Sequence, residues 1–185
     1  MINVVAEPTP NPATMKFSPG RPVMAEGTAN FPAADAAAGS PLAERLFGID
    51  GVRGVFLGAD FVSVAKDARA DWMTVEPAVR REISAHFEAG DPVFSVAEPA
   101  DGCAGTDGND EVVMRILDLM ETRIRPSVAA DGGDIVFRGF ERGVVYLTLQ
   151  GACAGCPSSA GTLKMGVENL LRHYVPDVIR VEAVP

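Results

Sequence analysis

Gly151-Ala-Cys-Ala-Gly-Cys-Pro-Ser-Ser159 sets two cysteines, Cys153 and Cys156, between a β-type run and a long amphipathic one. Upstream, Val144 to Leu149 reads as a strand. Downstream, Leu163, Val167, Leu170, Leu171 and Tyr174 recur at helical spacing and are expected on one buried face. Pro157 suits a first helical position, which puts Cys156 at the cap. Unpaired N–H groups at that end carry partial positive charge and favour thiolate, the form that is both nucleophile and metal ligand. Gly151 and Gly155 let the backbone come close to whatever the sulfurs hold.

Working outward, Pro176 separates this helix from a last strand, Val178 to Val184. Before the motif, Asn109 or Asp110 can cap a helix whose stripe is Val112, Val113, Ile116, Leu117, Met120 and Ile124, and Pro126 is expected to kink or end it. Asp131-Gly-Gly-Asp134 reads as a turn. Ile135 to Arg138 and Val144 to Leu149 read as a hairpin around Glu141, Arg142 and Gly143. The order is α-β-β-α-β over 111–185, with a closing β-α-β unit, so the sheet is a three-stranded mixed one packed by two helices.

The stretch Glu98-Pro-Ala-Asp-Gly-Cys-Ala-Gly-Thr-Asp-Gly-Asn-Asp110 has almost no large apolar side chain and reads as a flexible linker, 98–110. It bounds a first domain at 1–97. There Pro8, Pro10, Pro12 and Pro19 impose an irregular or edge-strand start. Ser40-Pro41 signals a capped short helix with Leu42, Leu46 and Phe47 on one face. Gly51 to Leu57 and Phe61 to Lys66 flank a Gly58-Ala-Asp60 turn. Thr74 can cap a helix in which Val75, Val79, Ile83 and Phe87 recur, and Gly90 and Pro92 stop it. The fold class is α+β in two small domains, and the first shows no catalytic constellation.

Composition narrows the function. The 185 residues are 47% hydrophobic and 22% charged, ordinary globular values that exclude global disorder. The net charge of −9, with no basic run, gives no counterion-release affinity for nucleic acid. No apolar stretch is long enough for a membrane span. The start, Met1 to Pro12, resembles neither a secretory signal nor an Arg-rich transit peptide. The expected location is cytoplasmic for a bacterial-type protein, or the mitochondrial matrix for a trimmed eukaryotic form.

An odd cysteine count with one close pair does not suit a secreted disulfide framework. The pair reads as a metal site or a redox dithiol. Structural zinc and cubane iron–sulfur sites want four ligands, and this chain has one C-x-x-C. His86 lies in the other domain and His173 over four turns along the helix, so neither is a convincing ligand. Cys103 sits in the linker and reads as an adventitious thiol. A homodimer in which each chain donates Cys153 and Cys156 completes the set, at an exposed and labile seam. The competing readings are a zinc-stabilised dimeric binding module, a thioredoxin-type C-x-x-C oxidoreductase, and a pair of small buried hydrophobes. The oxidoreductase fits poorly, because only one helix and one strand follow Cys156.

At these residues the C-terminal domain resembles the NifU C-terminal-like, or Nfu-type, iron–sulfur scaffold domain. The matching stretches are Arg125-Pro126, Asp131-Gly-Gly-Asp134 and Gly151 through Lys164. The first domain resembles the Nfu N-terminal domain through Thr9-Pro-Asn-Pro-Ala-Thr-Met-Lys-Phe17, Ser40-Pro-Leu-Ala43, Leu46-Phe47, Gly51-Val52, Val55-Phe56, Asp60-Phe61 and Asp71-Trp72. The resemblance implies a carrier rather than an enzyme. It would hold a [4Fe–4S] cluster, with [2Fe–2S] the alternative, between two protomers through Cys153 and Cys156. Upstream assembly proteins would supply the cluster and apo iron–sulfur proteins would receive it. Gly151, Gly155 and Thr162 to Lys164 take a supporting role.

Overall fold

The structure, a computed structural model, describes residues 2–95, 110–154 and 157–184. Nearly all of the expected linker, with Cys103 and Asn109, and also Gly155 and Cys156 of the motif, lie outside the described residues. The chain divides between residues 101 and 102 into two compact units, each with its own apolar core.

In the first unit, β1 (Val5–Pro8), β2 (Thr14–Ser18), β3 (Ala29–Phe31), β4 (Val52–Leu57) and β5 (Val62–Lys66) form an antiparallel sheet in the order β1-β2-β5-β4-β3. Two helices, α1 (Pro41–Phe47) and α2 (Trp72–Ala89), supply the other side of the core. Phe17, Leu57, Val62 and Val64 from the sheet are buried together with Leu42, Leu46, Val75, Val79 and Ile83 from the helices. Ser40 caps α1 as its sequence implies: its Oγ accepts from the Ala43 N–H at 3.3 Å and donates to the Val93 carbonyl at 2.8 Å. The cap of α2 differs from expectation. Asp71, not Thr74, accepts from the Met73 N–H at 3.0 Å, so the helix begins almost one turn earlier. A carboxylate there satisfies a free N–H and also suits the positive end of the helix dipole. Gly90, in the left-handed region, ends α2.

In the second unit a first helix, α3 (Asp110–Leu119), runs through a π-helical turn at Met120–Ile124 into α4 (Arg125–Ala130). Pro126 is expected to kink or end this helix; the run changes to the π-helical turn just before the proline and is not ended there, continuing to Ala130. The Arg125 N–H reaches back five residues to the Met120 carbonyl. This widened turn directly precedes the proline, which has no N–H to give the regular ladder.

The hairpin strands β6 (Gly133–Glu141) and β7 (Val144–Gly151) are longer than the sequence suggested, and the ladder tolerates a register shift between Phe137 and Gly139. Their turn needs two positive φ angles, 51° at Arg142 and 83° at Gly143, the geometry whose twist matches the strands. Helix α5 (Pro157–Tyr174) then leads to β8 (Arg180–Ala183), which pairs parallel to β7 and makes the sheet mixed. Tyr174 was expected on the buried face and is 45% exposed; Val175 is 1% exposed. The buried row steps by four from Val167 through Leu171 to Val175, leaving Tyr174 to stack against the Arg123 guanidinium at 4.9 Å.

Candidate metal centre

Three pieces of chain converge on Cys153. Strand β7 ends at Gly151, whose φ of 62° turns the chain off the sheet, and the Ala154 N–H closes back on the Gly151 carbonyl at 3.1 Å. Across the hairpin Gly133 pairs with Gly151. The Ala152 N–H donates to the Gly132 carbonyl at 3.1 Å, so the Asp131–Asp134 turn is fastened directly to the cysteine loop. A Cβ on Gly133 would lie 2.6 Å from the Cys153 Sγ and 2.7 Å from the Gln150 carbonyl oxygen. Only glycine lets the turn close over the sulfur.

A buried ion pair fixes the same turn. Asp134, 4% exposed, accepts from Arg125 in bidentate fashion, Nε to Oδ1 at 3.0 Å and Nη2 to Oδ2 at 2.8 Å. The Ile135 N–H donates to Asp134 Oδ1 at 2.7 Å. Arg125 also pairs with Glu121 one turn earlier on the helix. These contacts hold the guanidinium protonated more firmly than usual, Asp134 contributing most. A fork-shaped clamp thus ties α4 to the first residues of β6 beside the sulfur.

Cys153 itself departs from two expectations. It is only 6% exposed and belongs to the core of the second unit, where an exposed seam was expected. Burial, followed by the nearby Asp131 and Asp134 carboxylates, pushes its thiol up to about 12, where a helix N-terminus was expected to favour thiolate. The residue lies four positions before the start of α5, so desolvation governs it. Cys153 packs among the apolar side chains of this core, and ligation must displace its thiol proton. His86 is fully buried in the first unit, and His173 stands edge-on to Tyr174 at the end of α5. Among the described residues no group of three or more His, Cys, Asp or Glu side chains can hold a metal ion.

The sequence marks Asp131–Asp134 as a turn, and Arg125 with it as part of the family resemblance, but connects none of them to Cys153. Their bearing on Cys153 comes from the β6–β7 register, which brings residue 133 opposite residue 151.

Fold and site define a class first: two-module α+β proteins with a C-x-x-C loop between a hairpin and a crossover helix. Residues 4–90 match the family described as scaffold protein Nfu/NifU N terminal, and residues 116–182 match the NifU-like domain. The human protein named NFU1 iron-sulfur cluster scaffold homolog, mitochondrial, is 46% identical over 182 residues, covering 98% of this chain and 71% of its own length. The proteins of the same name from Drosophila erecta and Drosophila sechellia are 48% and 47% identical. This chain spans 64% of the length of each of those two. It belongs to the Nfu family of iron–sulfur cluster scaffold proteins.

Proposed function

We propose that this chain is a carrier that binds a [4Fe–4S] cluster between two protomers, through Cys153 and Cys156 of each, and passes it to apo iron–sulfur proteins. The observation that carries this reading is the C-x-x-C loop itself. Within a NifU-like domain, a tight hairpin end, a glycine and a buried ion pair all hold Cys153 in place. One pair of thiols falls short of a cubane's four ligands, and a second copy supplies the rest. Cys103 takes no part.

The cluster is cargo, and the chain makes or breaks no bond in a substrate of its own; on this reading it is not an enzyme. Loading replaces the thiol proton of Cys153 by iron and is therefore favoured as pH rises. Delivery exchanges these thiolates for those of the recipient, while upstream assembly proteins refill the carrier. Relatives named as mitochondrial suggest the matrix for a eukaryotic form, with the cytoplasm the bacterial counterpart. No helix among the described residues is long and apolar enough to cross a membrane.

Anaerobic reconstitution tests the ligand set. Cys153→Ala and Cys156→Ala should each abolish stable iron and sulfide uptake, and Cys103→Ser should leave it unchanged. A brown product with broad visible absorption supports the cluster; a colourless protein that retains zinc contradicts it. Loss of cluster in the Cys103 variant would show that the ligands are not two C-x-x-C pairs.

A further inference from the structure

Two carboxylates flank the glycines that cover the Cys153 sulfur, and they differ in one respect. Asp134 is buried and clamped by Arg125 at 2.8–3.0 Å, so its charge is neutralised where it stands. Asp131, at the other end of the turn, is exposed, and its side chain has no hydrogen bond or ion pair among the described residues. We propose that Asp131 sets the lability of the bound cluster: its uncompensated carboxylate, fixed next to the Cys153 loop, weakens retention of an anionic cluster and promotes its release. This inference rests on the cluster reading above.

Three observations support it. Asp131 is held by the same fastening that places the turn on the cysteine loop, Gly132 carbonyl to Ala152 N–H. Gly133, two residues on from Asp131, lies so close to the sulfur that a Cβ there would be 2.6 Å from the Cys153 Sγ. The position of Asp131 is also electrostatically poor for the fold. Asp131 is the C-cap of α4, where the helix end carries partial negative charge and a neutral or cationic residue is preferred. A carboxylate there works against the helix dipole, whereas a carrier gains a reason to let go. An iron–sulfur core ligated by four thiolates is a net anion, and a like charge beside it raises its energy. In a dimer the two copies of Asp131 act together.

The test uses the full chain, reconstituted anaerobically, as wild type, Asp131→Asn and Asp131→Glu. The loss of visible absorption is followed against an iron chelator and against an apo-acceptor. The Asn variant should lose its cluster about two- to fivefold more slowly at low salt, and the gap should shrink as salt screens the charge. The Glu variant should behave as wild type. Chelator and acceptor should respond alike if release is electrostatic. A purely structural role predicts the reverse: a less stable Asn variant that sheds its cluster faster, with a difference indifferent to salt. A wild type that loads normally, with an Asn variant losing cluster at the same rate or with a salt-independent gap, overturns this inference alone. A wild type that takes up no cluster overturns the proposed function and this inference with it.

Discussion

His86 shows how a single buried side chain sets a pH response. It is fully buried in the first unit, and neither ring nitrogen has a hydrogen-bond partner among the described residues. Burial first, and then the Arg45 guanidinium, hold it below its ordinary value, against the smaller opposite pull of Asp91. Arg45 and Asp91 pair with each other at 2.8 Å. A histidine depressed in the folded state stays neutral there, while the unfolded chain takes up a proton below about pH 6.5. Stability of the first domain should therefore fall as pH drops through that value towards the folded one, by at most about 1.4 kcal/mol per pH unit. His86→Leu removes both orphaned nitrogens, so it should be neutral or stabilising at pH 7.5 and should flatten the acid limb of the stability curve. Denaturant melts at pH 7.5, 6.5 and 5.5 check this; parallel curves for variant and wild type would show that His86 does not drive the acid response. The clamp beside the cysteine makes a second residue-scale case. Arg125→Met leaves Asp134 buried without its counter-charge and should cost about 1–3 kcal/mol, the exposed part of the guanidinium reducing the full penalty. Equal midpoints for the two proteins in a denaturant titration would show the pair to be expendable.

At the scale of elements, the second hairpin does most to build the site. Gly133→Ala forces a methyl onto the Gln150 carbonyl and the Cys153 Sγ, with backbone on one side and a core sulfur on the other. Neither can move aside cheaply, so the variant should lose about 1–3 kcal/mol and bind cluster poorly. A variant as stable as wild type that loads fully would show that the turn does not gauge the sulfur. The hairpin also explains what the sequence could and could not reveal. Alternation and the Arg142-Gly143 turn made β6 and β7 legible, and Ser40 with Pro41 made α1 legible, because each signal is local. Thr74 is a capping residue at a plausible position, and only the fold shows that Asp71, three residues earlier, takes the cap instead. Pro126 pointed to a kink or an end, and the sequence carries no sign of the wide turn before it through which the helical run continues. The apposition of Asp131–Asp134 with Cys153 is long-range, a matter of register across the hairpin, and no local spacing reports it. The burial of Cys153 has the same origin: flanking glycines suggested an open loop, whereas the turn fastened to that loop closes over it.

The whole molecule is two units with separate cores, and the proposed ligands belong to one of them. We expect 111–185 to fold alone, since its helices and its mixed sheet share one apolar cluster. A domain of this size has a modest core, so cluster binding should raise its melting temperature. The fragment should take up a cluster with the full-length spectrum, and 1–97 should take up none. A folded 111–185 unable to hold a cluster would mean that the first domain helps to build the site. Assembly follows from the ligand arithmetic. If the cluster joins the protomers, association is linked to loading: metal-free protein is mostly monomeric, and chelation dissociates the loaded form. The measurement that bears most directly on the central claim is the native mass of anaerobically reconstituted protein, determined together with its iron and sulfide content. The account predicts a dimer with about two iron and two sulfide per chain, which reverts to monomer when the iron is chelated. A monomer that retains a complete cluster, or a dimer whose mass does not change on chelation, would contradict it.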